Sequence, residues 1–145
     1  MLKNIKLIVS DIDGVWTDGS FYYTKEGDSL RRFTTRDSYG VALAKISKIP
    51  VLILSGEENP MVKKRMKKLG LEHVKLGVKN KLGTLTDFCT HQNIKMTEVG
   101  FLGDDMNDFH LIGKVGFFAC PSDAYSLIRE NADKVLLSVG GGGEF

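Results

Sequence analysis

A chain of 145 residues, 42% hydrophobic and 26% charged, has the composition of one globular domain spanning residues 1–145, neither disordered nor fibrous. It buries roughly 70% of the surface that its unfolded form exposes, so no disulfide or structural metal is needed to hold a core. Twenty basic residues against eighteen acidic ones leave a net charge of +2, which argues against both nucleic acid and an anionic membrane as partner.

In chain order, Ile5 to Ser10 is a short apolar, β-branched run that reads as a buried parallel strand ending in acidic residues. Gly19 to Thr24 and Ser29 to Thr34, aromatic and β-branched around the turn signal Lys25-Glu26-Gly27-Asp28, predict a β-hairpin inserted after that strand. Asp37 is the expected cap of a helix to about Lys48, with Val41, Leu43, Ala44 and Ile46 on its apolar side. Val51 to Ser55 is a second buried strand. Asn59-Pro60 opens a basic helix that Gly70 ends. A strand over His73 to Leu76 precedes a helix from Asn80 to about His91, with Leu82, Leu85 and Phe88 at spacings of three. A strand at Val99 to Leu102, a helix to Ile112, a strand at Val115 to Ala119, a helix at Ala124 to Asn131 and an edge strand at Lys134 to Leu137 complete the pattern. This alternation predicts an α/β fold with a Rossmann-like, doubly wound, mostly parallel sheet.

No apolar stretch approaches the ~20 residues a membrane span needs. Met1 to Lys6 lacks the apolar core of a signal peptide. Cys89 and Cys120 sit in apolar periodic segments and read as reduced, buried thiols of a cytoplasmic protein rather than as a disulfide.

Chemistry concentrates at strand ends, where open α/β sheets bind their ligands. The first strand ends in Asp11-Ile12-Asp13-Gly14, the second in Ser55-Gly56-Glu57, and the fourth in Gly103-Asp104-Asp105. Residues two apart in extended chain point the same way, so Asp11 and Asp13 converge. Several carboxylates in one crevice repel, and a divalent cation relieves them, with Mg²⁺ the hard, oxygen-seeking choice. A single such Asp could equally be a helix cap; three strand ends together are poorly explained that way.

These residues resemble the haloacid dehalogenase-like phosphatases. Asp11-Ile12-Asp13-Gly14-Val15 is similar to their first motif, and Ser55 at a strand end to the second. Lys81 is similar to the third, and Gly103-Asp104-Asp105-Met106-Asn107-Asp108 to the fourth. The longer run Asp11 to Gly19, read as DxDGVxTDG, and Arg36-Asp37-Ser38-Tyr39-Gly40 resemble the branch that dephosphorylates 3-deoxy-2-keto sugar acids of eight or nine carbons.

The resemblance implies that Asp11 attacks phosphorus and that Asp13 is the acid and then the base. It implies Mg²⁺ held by the Asp11 carboxylate, the Asp13 main-chain carbonyl and Asp104. Ser55 and Lys81 would bind the phosphoryl group, with Asp105 and Asp108 supporting, either by orienting a metal-bound water or by pairing with Lys81. For the sugar acid it implies Gly56, Glu57, Thr34, Thr35, Arg36 and a lysine of the basic helix, Lys67 or Lys68. That basic run is otherwise an ordinary solvated helix face.

Two departures from the branch matter. In the eight-carbon enzymes of the branch the second-motif strand is typically followed by Gly-Arg, where this chain has Gly56-Glu57. An Arg suits a carboxylate, whereas Glu repels one and accepts hydrogen bonds from hydroxyls. The reading therefore leans to the nine-carbon ester, KDN 9-phosphate, with the octulosonate 8-phosphate as the alternative. The tail, Gly140-Gly141-Gly142-Gly143-Glu144-Phe145, differs from the branch's longer GGxGA-type tail, which can enter a neighbouring site.

Other classes fit these residues less well. A receiver domain carries its phospho-acceptor after the third strand, and no Asp follows His73 to Leu76. A silent regulatory module would not retain every catalytic residue type. A phosphomutase or phosphotransferase of the same superfamily is a further alternative. With room for the hairpin and no cap domain, the crevice is left open. A homotetramer whose neighbouring subunit completes the site, docked through the aromatic hairpin, is the expected assembly.

Overall fold

A computed structural model describes residues 4–143 and 145. Met1 to Lys3 of the leader reading and Glu144 of the tail lie outside the described residues. The elements run β1 (Leu7–Ser10), β2 (Tyr22–Thr24), β3 (Gly27–Leu30), α1 (Arg36–Ile46), β4 (Val51–Leu54), α2 (Pro60–Lys68) and β5 (His73–Lys75). They continue with α3 (Lys81–Gln92), β6 (Val99–Leu102), β7 (Phe117–Cys120), α4 (Ser126–Asn131) and β8 (Lys134–Val135), with short 3₁₀ turns at Met96–Glu98 and Met106–Leu111.

Six strands form one sheet in the order β5-β4-β1-β6-β7-β8, every pair parallel. The chain winds outward from β1 to β5, crosses back, and winds outward again from β6 to β8. The expected doubly wound sheet is present, and a switch point falls beside β1. The hairpin β2–β3 stands apart as a two-stranded antiparallel ribbon. Among the described residues it is the whole of the insertion after β1, and only α2 lies between β4 and β5. Among the described residues, no cap domain covers the sheet.

Side-chain alternation builds the two layers. Leu7, Val9, Leu52 and Leu54 face one way, into a core with Leu85, Phe101, Phe118 and Ile128. Val51 and Ile53 face the other way, with Trp16, Val41, Ala44, Val62 and Met66. Thus α3 and α4 cover one face, and α1 and α2 the other. The two cysteines, Cys89 and Cys120, are buried and free. Among the described residues, no helix is long and apolar enough to cross a membrane.

Several boundaries differ from expectation. The hairpin strands are shorter, and the turn needs only Lys25 and Glu26 because Gly27 takes φ +115°. Thr35, not Asp37, is the residue before α1; Asp37 is buried in the first turn and accepts a hydrogen bond from the Phe145 N–H. Leu43 and Ile46, expected to pack, are exposed, because the buried side of α1 is set by Asp37, Val41 and Ala44. The expected helix after Asp105 is a 3₁₀ segment. On α3 the buried stripe is Lys81, Leu85 and Cys89, with Leu82 and Phe88 at its margin.

Candidate active site

Ser10 is level with Ile53 of β4 and Leu102 of β6, so the residues that follow these strands emerge side by side. The Asp11 N–H donates to Leu102 O at 2.9 Å, as the last rung of the sheet. The chain then turns sharply. Gly14 takes φ +87°, and a Cβ there would stand 1.9 Å from Asp104 Oδ2. Only glycine allows that carboxylate to lie against the loop. Thr17 Oγ accepts from the N–H groups of Gly14 and Gly19, closing the turn.

Four charged side chains meet at the floor. Lys81 is almost wholly buried at the start of α3, and its Nζ lies 2.9 Å from Asp11 Oδ2 and 2.7 Å from Asp108 Oδ1. Asp108 Oδ2 accepts the Asp104 N–H at 3.1 Å, which ties the β6 loop to the same lysine. Asp11, Asp104 and Asp108 each present an oxygen within 4.8 Å of the others. Burial first, and then the neighbouring carboxylates, push Asp104 up to about 8. Asp11 is likewise raised by burial and by Asp108, against the pull of Lys81. Asp104 Oδ1 is buried without a hydrogen-bond partner. An oxygen-rich, anionic, partly unsatisfied cluster of this kind fits a hard divalent cation.

Asp13 is held from the side by the hairpin. Its Oδ1 accepts from Arg31 Nε at 3.0 Å, while its Oδ2 is buried with no partner. Burial raises its pKa, and the Arg31 bond opposes the rise. Arg31 also pairs with Asp28, and its guanidinium lies 3.5 Å from the centre of the Phe21 ring. Asp28 in turn accepts from Asn59 Nδ2 at 2.9 Å.

Above the floor opens a cleft of about 330 Å³ lined by Asp11, Asp13, Phe21, Ser55, Gly56 and Glu57, and across from them by Val78, Lys79, Asp105 and Asn107. Ser55 is buried, and its Oγ accepts the Glu57 N–H at 3.3 Å. Asp105 accepts the Met106 N–H at 2.6 Å and so caps the 3₁₀ turn, outside the carboxylate cluster.

The structure thus brings together Asp11, Asp13, Ser55, Gly56, Glu57, Lys81, Asp104, Asp105 and Asp108. It does not bring Lys67 and Lys68, which are exposed at the far end of α2, about 12 Å along the axis from Asn59. Nor do Thr34, Thr35 and Arg36 line the cleft: Thr34 O accepts from Arg65 Nη2, Thr35 precedes α1, and Arg36 Nη1 donates to Gly142 O in the tail. Trp16 is core, with its Nε1 donating to Ser10 Oγ, and Tyr22 and Tyr23 are exposed. Sequence reasoning missed Phe21, Arg31, Lys79 and Asn107. Asn107 lay within the fourth-motif run, and Arg31 was a cation in a hairpin next to an acidic loop, a signal that its neighbour Arg32 shared.

This acidic cluster at the switch point of a parallel sheet, with a buried lysine fixing its carboxylates, defines a class. The chain belongs to the haloacid dehalogenase-like hydrolases, whose family model matches residues 64–143. It is 36% identical over 141 residues to 3-deoxy-D-manno-octulosonate 8-phosphate phosphatase KdsC of Escherichia coli K12, covering 97% of this chain and 75% of that one. The corresponding phosphatase of Moraxella catarrhalis, solved with magnesium, phosphate and KDO, superposes with a TM-score of 0.94 at 30% identity, over 99% of this chain and 82% of that one. The cobalt-bound phosphatase (YrbI) of Haemophilus influenzae gives the same TM-score and identity, over 99% and 84%. Within the family, the chain is a phosphatase of the capless branch that these proteins represent.

Proposed function

We propose that this chain is a Mg²⁺-dependent phosphatase that hydrolyses 3-deoxy-D-manno-octulosonate 8-phosphate through an aspartyl-phosphate on Asp11. The observation that carries the reading is the buried Asp11–Lys81–Asp108 group beside Asp104, in a chain that matches KdsC over nearly its whole length. The lean toward the nine-carbon ester gives way, since the similar proteins named above are octulosonate phosphatases. Glu57, which does line the cleft, keeps the nine-carbon ester as the second reading.

The carboxylates of Asp11 and Asp104 would hold the metal, with the Asp13 main-chain carbonyl as the further ligand the resemblance implies. Bound there, Mg²⁺ supplies positive charge against the phosphate and its nucleophile. Lys81 holds Asp11 in place through Oδ2 and anchors Asp108, so the nucleophile is oriented before substrate arrives. An Asp11 oxygen forms the new P–O bond as the ester P–O bond breaks. Asp13 Oδ2, unpartnered and on a carboxyl with a raised pKa, gives its proton to the departing sugar alkoxide. Asp13 then takes a proton from the water that attacks the aspartyl-phosphate, releasing inorganic phosphate and restoring Asp11. Ser55 donates to a phosphoryl oxygen.

A homotetramer completes this reading, since Tyr22, Tyr23 and Leu30 expose apolar surface on the hairpin beside an uncapped cleft. Two free, buried cysteines fit a cytoplasmic setting. The test is kcat/KM on the eight- and nine-carbon ester phosphates with Mg²⁺, beside Asp11→Asn. A clear preference for the eight-carbon ester and no phosphate release by the variant are expected. Preference for the nine-carbon ester would install the second reading, and normal turnover by Asp11→Asn would refute the mechanism.

A further inference from the structure

Among the described residues, Lys81 and Arg31 bind carboxylates that line the cleft and Lys79 lines it directly, and the first two are committed. Lys81 is buried between Asp11 and Asp108. Arg31 is buried between Asp13 and Asp28. The third, Lys79, lines the cleft, is exposed, and makes no ion pair among the described residues. Its position is fixed by backbone. The Val78 N–H donates to Ser55 O at 3.0 Å and the Gly77 N–H to Glu57 O at 3.2 Å, so the loop bearing Lys79 is stapled to the loop bearing Ser55 and Glu57. Two residues on, Lys81 enters the buried stripe of α3 at the cleft floor. One short segment therefore supplies a cation to the floor and another to the wall.

The charge balance of the cleft gives Lys79 a purpose. Asp11, Asp13, Glu57 and Asp105 all line it. The floor cluster suits a phosphate once its metal is bound, but the wall meets the rest of the substrate with the carboxylates of Glu57 and Asp105. A sugar acid would bring a further carboxylate into that field, and an unpaired carboxylate there is repelled. We propose that Lys79 is the specificity-determining residue that pairs with the substrate's carboxylate, at the end of the molecule remote from the phosphate. Lys67 and Lys68, the lysines that the resemblance placed at the sugar acid, do not line the cleft of their own chain. Glu57 beside Lys79 accepts hydrogen bonds from the substrate's hydroxyls. The enzyme thereby selects phosphate monoesters that also carry a carboxylate, a choice that rests on the sugar-acid function proposed above.

The test measures kcat/KM for 3-deoxy-D-manno-octulosonate 8-phosphate and for arabinose 5-phosphate, a sugar phosphate without the carboxylate, in wild type, Lys79→Ala, Lys79→Glu and Lys79→Arg. Lys79 is exposed on a loop, so these variants are expected to fold. The ratio of the two constants should fall at least tenfold in Lys79→Ala, through a higher KM for the acid, fall further in Lys79→Glu, and recover in Lys79→Arg. A wild type that favours the acid while Lys79→Ala keeps the same ratio overturns the assignment of Lys79 and leaves the function standing. A wild type with no preference for the acid overturns the function, and this inference with it.

Discussion

Asp11 and Asp104 are carboxylates that folding has moved out of water and set against other carboxylates, and the protein without its cation bears that cost. Asp104 titrates near 3.8 when unfolded and is pushed up to about 8 in the fold, by burial and then by Asp11, Asp108 and Asp105. A carboxyl with a raised folded pKa favours the native state while both forms hold the proton. That support is lost as the pH climbs through the window from about 4 to about 8. The melting temperature of EDTA-treated protein should therefore fall between about pH 5 and about pH 8, and Asp104→Asn should flatten the decline. Mg²⁺ should raise the melting temperature more at the upper end of that window, where the ligands are ionised. Thermal melts with and without the metal check both statements; a flat profile in the metal-free protein would contradict them. Lys81 was legible as a motif lysine, but its burial was not. A lysine in a helix is ordinarily solvated, and only the packing of α3 against the sheet makes it a fixed charge.

At the scale of elements, the hairpin is tied to the body of the domain by two links, Arg31 to Asp13 in the loop after β1 and Asp28 to Asn59 at the start of α2. The second link ends on the cap of α2, where Asn59 Oδ1 accepts the Met61 N–H at 2.8 Å. Arg31→Ala cuts the first link and leaves the Asp13 carboxylate unheld. We expect kcat to fall roughly 10²-fold, within the range attributed to a positioned acid. Faster tryptic cleavage at Lys25 in the hairpin turn should accompany it. Wild-type kcat and cleavage rate in this variant would show that the hairpin contributes no positioning. The hairpin was visible from its aromatic runs and turn. Which of Arg31 and Arg32 faces inward was not, because the β2–β3 register shifts between Tyr22 and Tyr23, and alternation cannot be carried through an irregularity.

For the whole molecule, the cleft lies open and the hairpin carries exposed Tyr22, Tyr23 and Leu30 beyond it. Apolar residues grouped on a projecting ribbon are better explained by a partner surface than by solvent. Light scattering should report a tetramer, and Tyr23→Lys with Leu30→Lys should dissociate it and lower kcat/KM. A fully active monomeric wild type would refute the assembly.

The sequence by itself determined the order of strands and helices, and the acidic, serine and lysine positions that end or begin them. Those depend on short-range patterning and on motifs that keep their residue types. It also determined that the crevice would be uncapped, because insertion length is read directly from the chain. Only the tertiary structure decided which charges are consumed in pairs and which are left for the substrate. Lys67, Lys68, Lys79 and Arg31 look alike in the sequence. The fold sends the first two to the outer end of α2, buries Arg31 between two carboxylates, and leaves Lys79 exposed on the cleft wall. Those fates depend on contacts between residues distant in the chain, such as the hydrogen bonds that fasten the loop at Gly77 to the loop at Ser55.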